Sequence, residues 1–345
     1  MDEIQKNTIF RPFLSVIIPC HNCRGSIEPL LDSIVNQNFK SLEVVIQDDY
    51  STDNFMELVE PYKEKLSIKY YQNKPREIHC PGNTRHDGLE NAIGEWVTFI
   101  DHDDKFEDNV FIEVLKCISF NNEKRFLASK FREYYPITDT FTKEYMYTAT
   151  TWLHGKFYNR RFLKEAGIQF KEDLVSHEDL CFNQQVYCYL TSNNLTYSIL
   201  NQFTYRWMFD VNSTSRRMFS EELNYIDTYY KDFITTSTDP WFKAYEEHPE
   251  MKTEILRRVC FTALSAYFYY QSLYLRRNFE HYVPDKDIFE WYINKIRTTF
   301  NVSKQDIIDI VYESSDQYNS VRDGAMGGCQ GLVERESFYT FMEKF

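Results

Sequence analysis

The chain has 345 residues, a formal net charge of −13 and 43% hydrophobic residues, with 26 Tyr and 28 Phe. That length holds one large domain, or a domain with a substantial extension, around a packed core. The acidic balance counts against nonspecific nucleic-acid binding, which needs a basic surface.

In chain order, FLSVIIP is a β-branched run ended by Pro19 and reads as a buried parallel strand. GSIEPLLDSIVNQ follows with Ile27, Leu30, Leu31, Ile34 and Val35 at helical spacing. LEVVIQ is the next strand and closes on Asp48-Asp49; STDNFMELVEPY opens with cap residues and continues as a helix. SIKYYQN is a third strand, GNTRHDGLENAIG a helix stopped near Gly94, and EWVTFI a fourth strand running into Asp101-His102-Asp103-Asp104. Such alternation predicts βαβ units around a parallel sheet covered on both faces. Ligands of such sheets sit outside the carboxyl ends of the strands. Three of these ends carry polar groups, Cys20-His21-Asn22, Asp48-Asp49 and the Asp101–Asp104 cluster, and should converge on one crevice. A D-x-D at a strand end can ligate Mg2+ or Mn2+ together with phosphate oxygens. The cation would also offset the repulsion among crowded acids.

From about residue 107 the alternation fades into a mixed region that runs to about 215. From about Glu221 the chain reads as helical, in MKTEILRRVCFTALSAYFYYQSLYLRRNF, KDIFEWYINKIRTTF and RESFYTFMEKF. SVRDGAMGGCQG is expected to be a Gly-rich loop. The longest apolar stretch, VCFTALSAYFYY, falls short of the ~18 residues of a membrane span and is expected to be a buried helix. The N-terminal MDEIQKNTIFRPF has no signal-peptide core, and eight scattered cysteines, Cys20 and Cys23 among them, read as structural thiols in a reducing compartment. A cytoplasmic place is expected, with a peripheral membrane position, or host cytoplasm for a viral chain, left open. The Arg-Arg pairs, Arg160-Arg161 included, read as solvated helix faces.

The blocks LSVIIPCHN, LEVVIQDDYSTD, PGNTRHDGLENAIGEWVTFIDHDD and SHEDLCFN resemble, in order and spacing, the family 2 glycosyltransferases of GT-A fold. The resemblance covers roughly residues 13 to 215. It implies a GT-A domain over 1–218, a Rossmann-like mixed sheet flanked by helices; the helical region over 219–345 lies outside the resemblance and is expected to serve acceptor binding, oligomerisation or surface contact. It implies an inverting, metal-dependent enzyme that uses a nucleotide sugar, UDP-linked by expectation. Matched by position, Pro19, His21 and Asn22 line the nucleoside pocket, with Asp49 on the base and Asp48 beside it. Arg85 lies near base and diphosphate. Asp101 and Asp103 form the D-x-D, Asp103 as the direct ligand of Mn2+ or Mg2+, and His102 stands between them. Asp179 is the general base, with Glu178 as the fallback. Arg206, Asn212 and Ser213 in YRWMFDVNSTSR would hold the diphosphate, and Trp152, His154 and His177 are candidate acceptor contacts. The expected acceptor is a surface polysaccharide or glycolipid, and next an anionic one such as hydroxymethylated phage DNA. A homo-oligomer through the C-terminal helices is a further expectation. Two other classes stay open: a haloacid-dehalogenase-like phosphatase with Asp101 as nucleophile, and a non-catalytic module binding sugar nucleotide or glycan.

Overall fold

A computed structural model describes residues 11–121, 125–172, 174, 176–210, 223–277, 286–326 and 337–343. The chain divides into two compact units, Met1–Ser213 and Thr214–Phe345.

The first unit is built on β1 (Leu14–Cys20), β2 (Leu42–Asp48), β3 (Ile68–Gln72), β4 (Trp96–Phe99), β5 (Lys105–Phe106), β6 (Phe126–Tyr135), β7 (Thr140–Tyr145), β8 (Lys156–Asn159) and β9 (Ser198–Met208). Its sheet order is β3-β2-β1-β4-β8-β6-β9-β5, with β7 paired to β6. The four strands on the N-terminal side, β3-β2-β1-β4, run parallel; β8 is antiparallel to both β4 and β6, and β5 is antiparallel to β9, so the sheet is mixed. Helices α1 (Ile27–Val35), α2 (Met56–Val59), α3 (Pro81–Asn91), α4 (Val110–Phe120), α5 (Arg160–Glu165) and α6 (Glu178–Ser192) connect the strands.

Every residue of β1 and β2 is buried, as a strand covered on both faces requires. Side-chain alternation divides the core. Val16 and Ile18 face one cluster with Leu30, Leu31, Ile34 and Phe111, while Ile17 faces another with Phe99, Phe126, Tyr158 and Phe182. In the second cluster, Phe99 sits edge-on to Phe170 and Phe182, at 5.2 and 5.8 Å between ring centroids. Cys20 and Cys23 are buried free thiols.

The second unit is helical. Its helix Lys252–Arg277 buries Ile255, Val259, Cys260, Ala263, Leu264 and Phe268. Helix Lys286–Phe300 supplies Tyr292, whose hydroxyl donates to the carbonyl of Val259 at 2.8 Å. The expected buried helix of the apolar run therefore forms. Ser303 and Asp306 make a reciprocal capping box at the start of Lys304–Glu313. One expectation needs correcting: the stretch from Ser320 is not loop, because helix Ser315–Met326 continues through Gly324. A single mid-helix glycine costs only ~1 kcal/mol, which packing can offset. Residues 327–331 of that stretch lie outside the described residues. Among the described residues no helix is long and apolar enough to cross a membrane.

Candidate active site

Parallel pairing places Cys20 opposite Asp48 and Ile17 opposite Phe99. The chain therefore leaves β1, β2 and β4 along one sheet edge, and their polar ends open onto the same crevice. Helix α3 crosses that edge. Its buried side is polar, with Asn83, Thr84, Arg85 and Asp87 all below a tenth exposed. Thr84 and Arg85 thus serve two neighbouring stations.

At the first station, Asp49 Oδ1 accepts from Asn73 Nδ2 at 3.0 Å and from His79 Nδ1 at 2.7 Å. Asn73 also donates to the Thr84 hydroxyl at 2.9 Å. His21 Nδ1 donates to the carbonyl of Asp49 at 2.8 Å, which closes the β1 end against the β2 end. Asn22 adopts a left-handed backbone, φ 51°, and its side-chain oxygen accepts from the amide of Thr52 at 2.9 Å. Pro19 is buried inside β1, level with Gln47. Asp48 is turned away from the crevice, a correction to its expected place. Its oxygens take the amide of Ser51 at 3.1 Å and the hydroxyl of Tyr70 at 2.7 Å, so it braces the turn.

At the second station, the Arg85 guanidinium donates from Nη2 to Asp101 Oδ1 and from Nη1 to Glu178 Oε1, both at 2.6 Å. Burial disfavours the charged guanidinium, but Asp101 and Glu178 outweigh it, and the group is raised above its ordinary value. Burial also acts against the Asp101 carboxylate, yet Arg85 holds it below the usual range. Gly82 eases the bridge: a Cβ there would meet the Cβ of Glu178 at 3.0 Å, so a larger residue would press α3 away from the start of α6 by a few tenths of an ångström.

Asp103 is exposed, and loss of solvation in the crevice followed by Asp101 raises its carboxyl. Asp104 is buried and pushed well above the carboxylate range by burial and by Asp103 and Asp101. It accepts from the hydroxyl of Tyr205 and from the amide of Met208, the latter at 2.7 Å, and so ties the turn to β9. His102 points to α1, its Nδ1 lying 2.7 Å from the Ser26 hydroxyl. Asp101, Asp104 and His154 each offer a ligand atom within 4.8 Å of one another. The donors at the mouth of the crevice are carboxylate oxygens, and Asp101 and Asp103 repel each other. That set fits a hard divalent cation such as Mg2+ or Mn2+.

Asp179 follows Glu178 in the first turn of α6. Burial first, then Glu178, pushes its carboxyl up to about 7. It lines a cavity of about 20 Å3 with Arg85, Asp101, His154 and Tyr205. His154 is buried and stacked on Tyr205, with 4.3 Å between centroids and 8° between planes, and burial lowers it to about 3. His154, a candidate acceptor contact, thus forms part of the wall of that cavity. Trp152 is half-buried in an aromatic wall, 5.0 Å from Tyr145 and 6.1 Å from Trp207. His177 holds a left-handed backbone, φ 59°, at the N-terminal end of α6. Arg206 is not brought to the crevice. It lies on the opposite face of β9 from Tyr205, donates from Nη2 to Glu107 at 2.8 Å, and packs over Tyr134 and Phe141. Asn212 and Ser213 lie outside the described residues.

Five residues here escaped sequence reasoning. Asn73 ends β3 as Asp49 and Asp101 follow β2 and β4, so its strand-end position was a usable signal. His79, Tyr205, Lys156 and Asn183 gave none. Lys156 is buried on β8, and its ammonium donates to the carbonyls of Trp152 and His154, the latter at 3.5 Å. Asn183, one helical turn after Asp179, donates to the same Trp152 carbonyl at 2.9 Å and accepts from the Tyr158 hydroxyl at 2.7 Å. This network holds segment 152–155 against α6; Gly155 completes its turn at φ 67°, where a Cβ would meet Ser129 Oγ at 2.9 Å. Burial lowers Lys156 to about 7. Its folded value lies below its unfolded one, so the stability it contributes is present at high pH and lost as pH falls through about 7. Lys156→Met should therefore gain thermal stability relative to the parent as pH is lowered from 10 to 7. A constant difference in melting temperature over that range would contradict the assignment.

Comparison with known proteins agrees with this architecture. Residues 15–175 match the family model for glycosyl transferase family 2. The poly(ribitol-phosphate) beta-N-acetylglucosaminyltransferase TarS of Staphylococcus aureus is 31% identical over 205 residues, 55% of this chain and 34% of the relative. The GalNAc(5)-diNAcBac-PP-undecaprenol beta-1,3-glucosyltransferase of Campylobacter jejuni is 40% identical over 95 residues, 27% of this chain and 30% of the relative. The chain thus spans about a third of the length of these curated relatives. The crystal structure of S. aureus TarS 1–349 in complex with UDP-GlcNAc superposes with a TM-score of 0.65 at 21% identity, covering 91% of this chain and 92% of that one. The shared fold is GT-A. The span that matches glycosyl transferase family 2 is the one that carries β1 to β8 and the Arg85–Asp101 pair.

Proposed function

We propose that the protein is a metal-dependent, inverting glycosyltransferase that moves a sugar from a UDP-sugar to a hydroxyl of a surface polymer or lipid-linked glycan. The observation that carries this reading is the Arg85 bridge. It fixes the strand-end acid Asp101 and the helix acid Glu178 around one cation, beside Asp179. Relatives named for a poly(ribitol-phosphate) and for an undecaprenol-linked acceptor support the acceptor class. The match of residues 15–175 to family 2 counts against the phosphatase reading.

Asp49, held by Asn73 and His79, offers a hydrogen-bond acceptor for the base N–H of uracil. Asp101 and Asp103 would hold Mg2+ or Mn2+, which neutralises the departing diphosphate when bound. Glu178 is committed to Arg85, which leaves Asp179 as the base. The acceptor O–H gives its proton to Asp179 as the acceptor oxygen bonds to the anomeric carbon. The bond from that carbon to the diphosphate oxygen breaks on the opposite side, and UDP departs with the electron pair. A carboxyl near 7 suits this task, since it is partly ionised at neutral pH and basic enough to take a proton.

The test is release of UDP from a panel of UDP-sugars with and without Mn2+. Asp103→Ala should lose the Mn2+-dependent turnover by about 100-fold or more. Undiminished Mn2+-stimulated activity in that variant would remove the metal assignment.

A further inference from the structure

A cavity of about 640 Å3 lies away from the crevice, at the other edge of the same sheet. Three backbone hydrogen bonds assemble it. The amide of Glu95 donates to the carbonyl of Pro12 at 3.1 Å, that of Arg160 to Glu95 at 2.9 Å, and that of Asn159 to Arg125 at 2.8 Å. The chain segments before β1, before β6 and after β8 therefore meet where β4 begins. Each brings a guanidinium, so among the described residues Arg11, Arg125, Arg160 and Arg161 line one cleft with Glu95 and Glu165 as its acids. Arg161 pairs with Glu165 at 2.7 Å, and Arg160 spends its Nε on the carbonyl of Gly94 at 2.9 Å. By formal charge, the described lining counts four guanidinium groups against two carboxylates, in a chain whose net charge is −13. Burial and then the nearby Arg11 lower Arg160, a cost that an anion in the cleft would relieve. Guanidinium groups stay charged and match phosphate oxygens in a planar fork. Between them Tyr189, edge-on to Phe162 at 5.5 Å, and Leu195 give the cleft an apolar wall.

We propose that this cleft binds phosphate groups of a phosphodiester-linked, hydroxyl-rich chain, as an anchor separate from the donor crevice. Guanidinium groups would take the phosphates, and the Tyr189–Leu195 wall would take the carbon segments between them. Six residue steps along β4 and its flanks separate Glu95 from Asp101, about 20 Å at strand rise. A ligand here therefore does not compete with a nucleotide sugar. The proposal gives the acceptor chain of the preceding section a chemistry and rests on that reading. Of the expected solvated pair, Arg161 is exposed as read, 84% for its side chain, while Arg160 is drawn toward the cleft by its bond to Gly94.

The test uses the full chain with three probes: a glycerol phosphate oligomer, inorganic phosphate and UDP with Mn2+. The oligomer should bind about tenfold tighter than inorganic phosphate, with affinity that falls as salt rises. Arg125→Glu should weaken the oligomer about tenfold or more and leave UDP binding unchanged. Arg11→Gln with Arg161→Gln, at two exposed positions, is the second variant and should weaken the oligomer in the same direction. Unchanged oligomer binding in both variants would overturn the site. Equal binding of inorganic phosphate would overturn the chain-binding claim in favour of a small-anion site. Failure of UDP to bind would count against the donor assignment alone, because the oligomer readout does not depend on it.

Discussion

Arg85→Met should lower stability at neutral pH by about 2–4 kcal/mol and abolish measurable turnover. The variant leaves Asp101 and Glu178 facing one another without a counter-charge, the case in which removing one partner of an inward ion pair is most damaging. The loss should fall short of the fully buried case, since the Asp101 side chain keeps 36% exposure against 14% for Glu178. The pH dependence has a definite sign. Arg85 holds Asp101 below its unfolded value, so the stability from that pairing is present at neutral pH and lost as pH falls through the carboxylate range. The gap in melting temperature between parent and variant should therefore be wide at pH 7 and narrow toward pH 3. Arg85→Lys should recover only part of the loss, because one ammonium cannot reproduce a fork that reaches two carboxylates. Equal melting temperatures for parent and Arg85→Met at pH 7 would show that the bridge does not hold the site together.

Asp179→Asn should lower the transfer rate by about 100- to 10,000-fold, the usual contribution of a positioned base, while UDP affinity stays unchanged. In the parent enzyme kcat/KM should rise with pH up to about 7 and level off above it, as the Asp179 carboxyl gives up its proton. Stability should move the other way. A carboxyl whose folded value lies above its unfolded one stabilises the fold at low pH, and that contribution is lost as pH rises through about 7. Asp179→Asn should accordingly melt higher than the parent at pH 8 and close to it at pH 4. A variant that transfers sugar at the parent rate would move the base elsewhere. One that loses UDP binding would place Asp179 in the donor site.

The parallel half of the sheet was legible because β1, β2 and β4 are covered and each carries a run of apolar residues. The region from 107 to 215 was not. Its strands β6, β7 and β9 carry half-exposed and polar residues, and β8 is four residues long, too short for periodicity to register. Asp101 and Asp49 could be selected from position alone, since a strand end in a βαβ unit opens onto the crevice. Asp48 and Arg206 show the limit of that reasoning. Next to one another in sequence, Asp48 and Asp49 have opposite tasks because Ser51 and Tyr70 draw Asp48 into the turn. Arg206 follows Tyr205, and the twofold alternation of β9 sends the two side chains to opposite faces.

What the sequence determined by itself was the order of buried strands and the polar groups that end them, hence the fold and the likeness to family 2. Those are local properties, written in runs of apolar residues and their terminators. The tertiary structure alone decided which charges meet. Arg85 finds Glu178 across 93 positions, Tyr205 finds Asp104 across 101, and the four arginines of the opposite cleft come from segments that strand pairing gathers at one edge. No local pattern encodes these encounters, because each depends on sheet register and on how closely two helices pack, and both are settled only when the core closes.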